Sequence, residues 1–406
     1  MDSQRPPLRT LPGRDQFPLL QAQPELIYLD SAATSQKPLA VLDAERDFYT
    51  RDYANVHRGS YQLAARATAA YEGARARVAR FLNAEADEIV FTRGCTEAIN
   101  LVAASWGCSL KAGDEILVST LEHHANIVPW QLLAARCGAI VRPIPLNQDG
   151  QIDLAAFHRL LGPRTRLLAI TQAANATGTR PPLAEILAAA RAHGVTTLVD
   201  GAQGVVHDTH DMQALGADFY AFSGHKLFGP TGIGVLYGRG ALLQDMPPWQ
   251  GGGEMIESVS FDGTRFAEAP QRFEAGTPPI AQAVGLAAAL DWLSQYDLAH
   301  WELHELALQH QLEAGLSLMQ GVHVLARHTE RAPISSLHFS GAHPYDVAQF
   351  LDARSIAARV GQHCAQPLLA HLGVSSTLRL SFGPHNTTSD VEQVLAALAE
   401  TLDLLA

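Results

Sequence analysis

A chain of 406 residues with 47% hydrophobic and 17% charged residues is long enough for two or three structural units, buries a large core and carries no signature of disorder. Its formal net charge of −12 argues against nonspecific nucleic-acid binding, whose affinity comes mainly from Lys and Arg neutralising phosphates. The four cysteines, Cys95, Cys108, Cys137 and Cys364, are far apart and form no C-x-x-C pair, so neither a zinc site nor a disulfide framework is indicated, and no metal is expected.

Met1 to Leu20 holds arginines and prolines but no apolar core of signal-peptide length, and no later segment approaches the ~20 apolar residues that span a bilayer. With unpaired cysteines, this predicts a cytoplasmic protein with no membrane partner. From about Ser35 to Leu290 short apolar runs alternate with Ala-rich helical periods, the pattern of a doubly wound parallel sheet. The expected strands are Ile89 to Thr92, Ile116 to Ser119, Leu167 to Thr171, Thr197 to Asp200, Phe219 to Phe222 and Gly234 to Tyr237. A glycine and proline cluster from Pro247 to Gly253, then the charged stretch Asp262 to Glu274, predicts a long excursion near the site or a neighbouring subunit. Long helices are expected over Ala281 to Gln295 and Leu298 to Met319. After them, strands Ser335 to Phe339, Ile356 to Val360 and Thr377 to Phe382 alternate with helices around Tyr345 to Ala353 and Asp390 to Leu405, which reads as a smaller α+β domain. The fold class is therefore α/β, a doubly wound, mainly parallel sheet with a smaller C-terminal α+β domain.

Two of the expected strands close on polar residues, Asp200 before Gly201-Ala202-Gln203 and Ser223 before Gly224-His225-Lys226. Buried parallel strands deliver such side chains into a crevice at their C-terminal ends, where α/β enzymes hold cofactors. A lysine there can form a Schiff base with an aldehyde, and an acid on the neighbouring strand end can pair with a pyridinium nitrogen, which is what pyridoxal phosphate requires. Taken alone, Lys226 also fits a surface lysine and Asp200 a helix cap. Thr92 to Glu97 passes from strand into helix, a ready phosphate site with Thr96 beside it, and Ser223 and His225 are further phosphate ligands. Adjacent His123 and His124 have the wrong spacing for two ligands on one helical face. Arg379, inside an apolar strand, needs a partner, and a substrate α-carboxylate is a natural one. Asn175 is placed to contact that carboxylate and the ring, with Arg359 and His57 as neighbours of lower rank. Cys364 follows His363 and Gly361 in a loop near Arg359, surroundings that favour thiolate.

Leu29 to Thr34, Asn55-Val56-His57-Arg58, Glu122 to Asn126, Ser223 to Lys226 and Arg359 to Ala365 occur in an order that resembles the group II cysteine desulfurases of the SufS/CsdA kind, class V, fold-type I pyridoxal-phosphate enzymes. Gly361 to Leu369, and Gln172 where SufS proteins tend to have histidine, lean toward the CsdA branch, the cysteine sulfinate desulfinases. The resemblance implies a homodimer with a large cofactor domain over residues 25–290 and a small domain made of 1–24 and 291–406. It gives Lys226 the Schiff base, Asp200 the ring nitrogen, Gln203 the ring hydroxyl and His123 the stacked ring face. Thr277 would reach the phosphate from the second subunit. Position 95 often holds threonine in the family, so Cys95 is a departure at the cofactor site. Cys364 becomes the nucleophile that takes sulfur from L-cysteine, with selenocysteine and cysteine sulfinate as further substrates and a SufE- or CsdE-like protein as acceptor, supplying iron–sulfur cluster assembly or related sulfur transfer. The competing readings are an aminotransferase or β-lyase on the same fold, and a noncatalytic sulfur-relay scaffold.

Overall fold

The computed structural model describes residues 8–207 and 210–405, so the first seven residues of the expected N-terminal segment lie outside it. A short strand, β1 (Ile27–Tyr28), comes first. Among the described residues, the main sheet is built from β2 (Ile89–Thr92), β3 (Glu115–Ser119), β4 (Ile140–Ile144), β5 (Thr165–Thr171), β6 (Thr196–Asp200), β7 (Phe219–Ser223) and β8 (Gly234–Gly238). Its order is β2-β8-β7-β6-β5-β3-β4. Pairing is parallel from β7 to β4, and β8 runs antiparallel to both its neighbours. Both faces are buried. Leu168, Ile170, Val199, Tyr220 and Phe222 enter one core, while Leu167, Ala169, Leu198, Phe219 and Ala221 enter the other, the period-2 alternation of a sheet covered on both sides.

An exposed hairpin, β9 (Ile256–Ser260) with β10 (Gly263–Phe266), occupies the stretch where the sequence rhythm breaks. Helices Ile280–Leu293 and Leu298–Leu316 follow. A second antiparallel sheet then forms from β11 (Val322–Val324), β12 (Ile334–Phe339), β14 (Arg359–Gly361) and β15 (Thr377–Ser381), in the order β11-β12-β15-β14, with the two-residue β13 (Ile356–Ala357) lying just before β14. Helices Pro344–Asp352 and Thr388–Leu405 pack against each other beside it and share its core. No helix among the described residues is long and apolar enough to cross a membrane.

Two details differ from the sequence expectation. The single strand expected over Ile356 to Val360 is divided: β13 pairs with β1, whereas β14 pairs with β15. As a result Ile27–Tyr28, which lies beyond the boundary expected at position 25, is joined to the C-terminal part of the chain. The strands β4 and β11 were not anticipated. β4 is the edge of the main sheet and holds Arg142 and Pro143, and an edge tolerates a residue without an N–H that would argue against a central strand.

Candidate active site

At the C-terminal ends of β5, β6 and β7 lies a cavity of about 260 Å³. The main sheet supplies Thr171, Asp200 and Ser223 from its strand ends, with Lys226 from the 3₁₀ turn Gly224–Lys226. The smaller sheet supplies Arg359 and Arg379, with His363 and Cys364 from the loop after β14. Cys95, Thr96, His123, Asn175, Gln203 and His225 complete the wall. The chain thus brings together every residue expected at the site except His57 and Thr277. His57 lies away from the cavity, its ring 2.9 Å from Glu72 and 3.7 Å from Glu254. Thr277 lines a different cleft beside Trp249 and Glu274.

Asp200 is 4% exposed, and its Oδ1 accepts from the Ala202 N–H at 2.9 Å and from the Cys95 thiol at 3.3 Å. Burial, and then Asp200, pushes the Cys95 thiol far up, so Cys95 is a neutral donor to the acid. Its backbone N–H donates to Ser223 Oγ at 2.8 Å, which leaves the serine proton free for another acceptor. Burial also pushes the Lys226 ammonium below the ordinary lysine value, with Asp200 opposing and Arg379 adding to the fall. That favours the neutral amine, the form that attacks carbonyls. The turn carrying Lys226 is clamped at one carbonyl, since His225 O accepts from Lys37 Nζ at 2.7 Å, Ser35 Oγ at 3.0 Å and Thr34 Oγ1 at 3.1 Å.

His123 Nδ1 accepts from the Ala125 N–H at 3.0 Å, which puts the ring proton on Nε2 in the neutral form that burial favours. Gln203 gives its amide nitrogen to Ala32 O at 2.7 Å, so Oε1 is the atom left for a ring hydroxyl. Asn175 Nδ2 donates to His363 O at 2.7 Å. Arg379 is 2% exposed, with Nη1 donating to Asn175 O at 2.8 Å and Nη2 to Asp30 Oδ1 at 3.1 Å.

Cys364 is exposed at the mouth of the cavity. Its loop is short and pinned: His124 N–H donates to Cys364 O at 2.7 Å, and Ala365 N–H to Gln362 O at 2.9 Å. His363 and Cys364 both hold positive φ, 52° and 53°, a conformation L-residues adopt only where the surroundings enforce it. Burial pushes the His363 imidazole down to about 3, so that ring is neutral, with Nε2 2.8 Å from Thr377 Oγ1.

Three residues at or beneath the site were not singled out from sequence for the roles they fill. Asp30 contacts both arginines. His124 anchors the Cys364 loop, its Nε2 also accepting from the Gln366 N–H at 3.1 Å. Glu122, wholly buried, accepts from Thr171 N–H at 2.8 Å, Asn126 Nδ2 at 2.7 Å and the Ser119 hydroxyl, tying the histidine segment to β5.

Arg379 Nε, Asn175 Oδ1 and His363 Nδ1 are buried without a hydrogen-bond partner among the described residues. Buried polar groups are rarely left so unless a ligand or water meets them. Together with a lysine whose amine burial shifts toward the neutral form, a buried carboxylate one strand away and hydroxyl donors beside the start of the helix Cys95–Ala104, they fit pyridoxal phosphate carrying an amino acid.

The family described as Aminotransferase class-V matches residues 27–394. A Vibrio cholerae protein named probable cysteine desulfurase is 51% identical over 398 residues, 97% of this chain and 98% of its own length. The crystal structure of the Escherichia coli cysteine desulfurase CsdA, in an S-sulfonic acid form, is 48% identical with a TM-score of 0.91, covering 97% and 98% of the two chains. A C-DES mutant with glycine covalently linked to its PLP cofactor is 29% identical with a TM-score of 0.81, covering 96% and 99%.

Proposed function

Because the chain belongs to the class-V aminotransferase family and, within it, is a pyridoxal-phosphate-dependent cysteine desulfurase, we propose how its residues divide the conversion of L-cysteine to L-alanine. Lys226 would hold the cofactor aldehyde and, once freed by the substrate amine, would take the substrate Cα proton and later return one to Cα of the product. Asp200 would pair with the ring nitrogen, Gln203 with the ring hydroxyl, and His123 would pack on the ring. Thr96, Ser223 and His225 would hold the phosphate, with Cys95 supporting Ser223 through its backbone N–H and Asp200 through its thiol. Bound there, the cofactor supplies an electron sink for the substrate Cα. Arg379 Nε takes the substrate carboxylate, with Asn175 and Arg359 beside it. The Cys364 thiolate attacks the substrate sulfur; an S–S bond forms, the C–S bond breaks with its electron pair going to Cβ, and protonation there yields the alanine methyl.

One observation carries this reading. The lysine and acid of one sheet share a cavity with the arginines and cysteine of the other. Cysteine sulfinate and selenocysteine are proposed as further substrates, since their leaving groups depart without a protein nucleophile. The pinned Cys364 loop gives the thiol little travel, so sulfur leaves to an acceptor whose own cysteine enters the cavity, a SufE- or CsdE-like protein. Thr277, outside the cavity of its own chain, and exposed Tyr49, Tyr53 and Leu42 support a homodimer in which Thr277 serves the neighbouring site. A thiol that must stay reduced supports a cytoplasmic reaction as part of this proposal.

The test is Cys364→Ala, assayed by alanine release from three substrates. Alanine should still form from selenocysteine and cysteine sulfinate while turnover of L-cysteine is lost and no persulfide appears. Equal loss with all three would remove Cys364 from the sulfur step.

A further inference from the structure

Arg359 and Arg379 stand directly opposite each other in the antiparallel pairing of β14 with β15. Like charges in that relation repel and destabilise the pair. Asp30 lies between them. Its Oδ1 is 3.1 Å from Arg379 Nη2, and both its oxygens are 3.1 Å from Arg359 Nε. The acid is held there by main-chain bonds on either side of the pair: Leu29 N–H donates to Ala357 O in β13, just before β14, at 2.9 Å, and Ser381 N–H in β15 donates to Leu29 O at 2.8 Å.

The two arginines are held differently. Arg379 is buried, with both Nη atoms engaged and Nε left without a partner among the described residues. Arg359 is half exposed, and Asp30 is its side-chain partner among the described residues. Two cations and one anion leave a single positive charge to meet a substrate. Both arginines and Cys364 line the cavity, so a second uncompensated cation would act within the volume the substrate occupies.

We propose that Asp30 is a positioning and specificity residue: it fixes the Arg379 plane with Nε directed to the substrate carboxylate and cancels the charge of Arg359, matching the site to substrates with one fixed anion, thiols, over those with two, sulfinates. The inference rests on the assignment of Arg379 to the substrate carboxylate made above.

The experiment measures kcat and KM for L-cysteine and L-cysteine sulfinate with cofactor-saturated Asp30→Asn, Asp30→Glu and Arg379→Lys. Asp30→Asn should raise the sulfinate-to-cysteine ratio of kcat/KM by about 10-fold, the factor attached to one charge-assisted hydrogen bond, through a lower KM for the sulfinate. Asp30→Glu keeps the charge and should return the ratio toward wild type, and so should the Asp30→Asn/Arg359→Gln double variant. A ratio unchanged in Asp30→Asn, with both substrates impaired alike, means a structural role only and overturns the proposal. Arg379→Lys separates the two readings: if KM for both substrates is unaffected there, the carboxylate assignment itself fails. A measurement on the wild-type enzyme stands even if a variant does not fold. Succinate should inhibit no more tightly than propionate, whereas a clear preference for the dicarboxylate would reveal two free cations and refute the charge balance.

Discussion

Replacing Asp200 by asparagine removes a negative charge from a site where few groups oppose the nearby cations. Asp200 is 4% exposed, its Oδ1 is occupied by the Ala202 N–H and the Cys95 thiol, and Oδ2 has no partner among the described residues. Asparagine can keep the Oδ1 bonds, so the substitution isolates the charge at the ring nitrogen. A hydrogen bond to a charged group nets about 1.5–3 kcal/mol, which at ~1.4 kcal/mol per factor of ten predicts turnover slower by about 10- to 150-fold. The Cys95 thiol should remain un-ionised, because burial is the larger cause of its raised pKa, and alkylation of Cys95 should therefore not increase. The assay is alanine formation from L-cysteine with pyridoxal phosphate in excess, with bound cofactor measured by absorbance after gel filtration. Wild-type kinetics in a fully loaded Asp200→Asn enzyme would refute the role given to the carboxylate.

His124→Ala removes the acceptor for the Gln366 N–H at the start of the helix Gln366–His371 and should loosen the Cys364 loop. One hydrogen bond of about 0.5–1.5 kcal/mol corresponds to roughly a 2- to 12-fold loss, expected with L-cysteine and not with cysteine sulfinate; an equal loss with both would assign His124 to the cofactor region instead. Stability should fall on acidification. Burial lowers the His363 imidazole to about 3 and His385 to about 4, from an ordinary 6.5. Both are neutral when folded, so their contribution is complete above pH 6.5 and is lost as pH falls toward 4, with a slope of up to about 1.4 kcal/mol per pH unit for each. Urea unfolding of wild type and His385→Gln between pH 7 and 5 checks this: the variant should show the shallower dependence, and identical slopes would count against a buried neutral His385.

The parts of the site that were legible in sequence are those whose signal is local. Asp200 and Ser223 end apolar runs, Lys226 follows one within three residues, and Arg379 is a charge inside a strand, so each is marked by contrast with its neighbours. Cys364 took its meaning from the family resemblance and from the surrounding loop. Asp30 carried no comparable mark, since its partner Arg379 is 349 residues away and a strand-end acid looks the same with or without one. The role of His124 depends on a main-chain carbonyl, which has no residue identity to read. The division of β13 from β14 was hidden because Ile356 to Val360 remains extended throughout while its hydrogen-bonding partners change. Thr277 and His57 lie outside the cavity formed by one chain, and an isolated sequence does not distinguish a residue that serves its own site from one that serves a neighbour's.

The segment from Tyr28 to Lys37 touches both halves of the site, at the arginines through Asp30 and at the lysine turn through Thr34, Ser35 and Lys37. Its partners lie 188 and 349 residues later in the chain. The main sheet can form as its own strands emerge, but this segment must wait for β15 before it can close. Contacts of such separation are slow to form because loop entropy is lost before they reward it. The two halves of the site therefore close on each other only once β15 is available, and a nascent chain stalled before β15 would hold a lysine turn without the Arg379 that faces it.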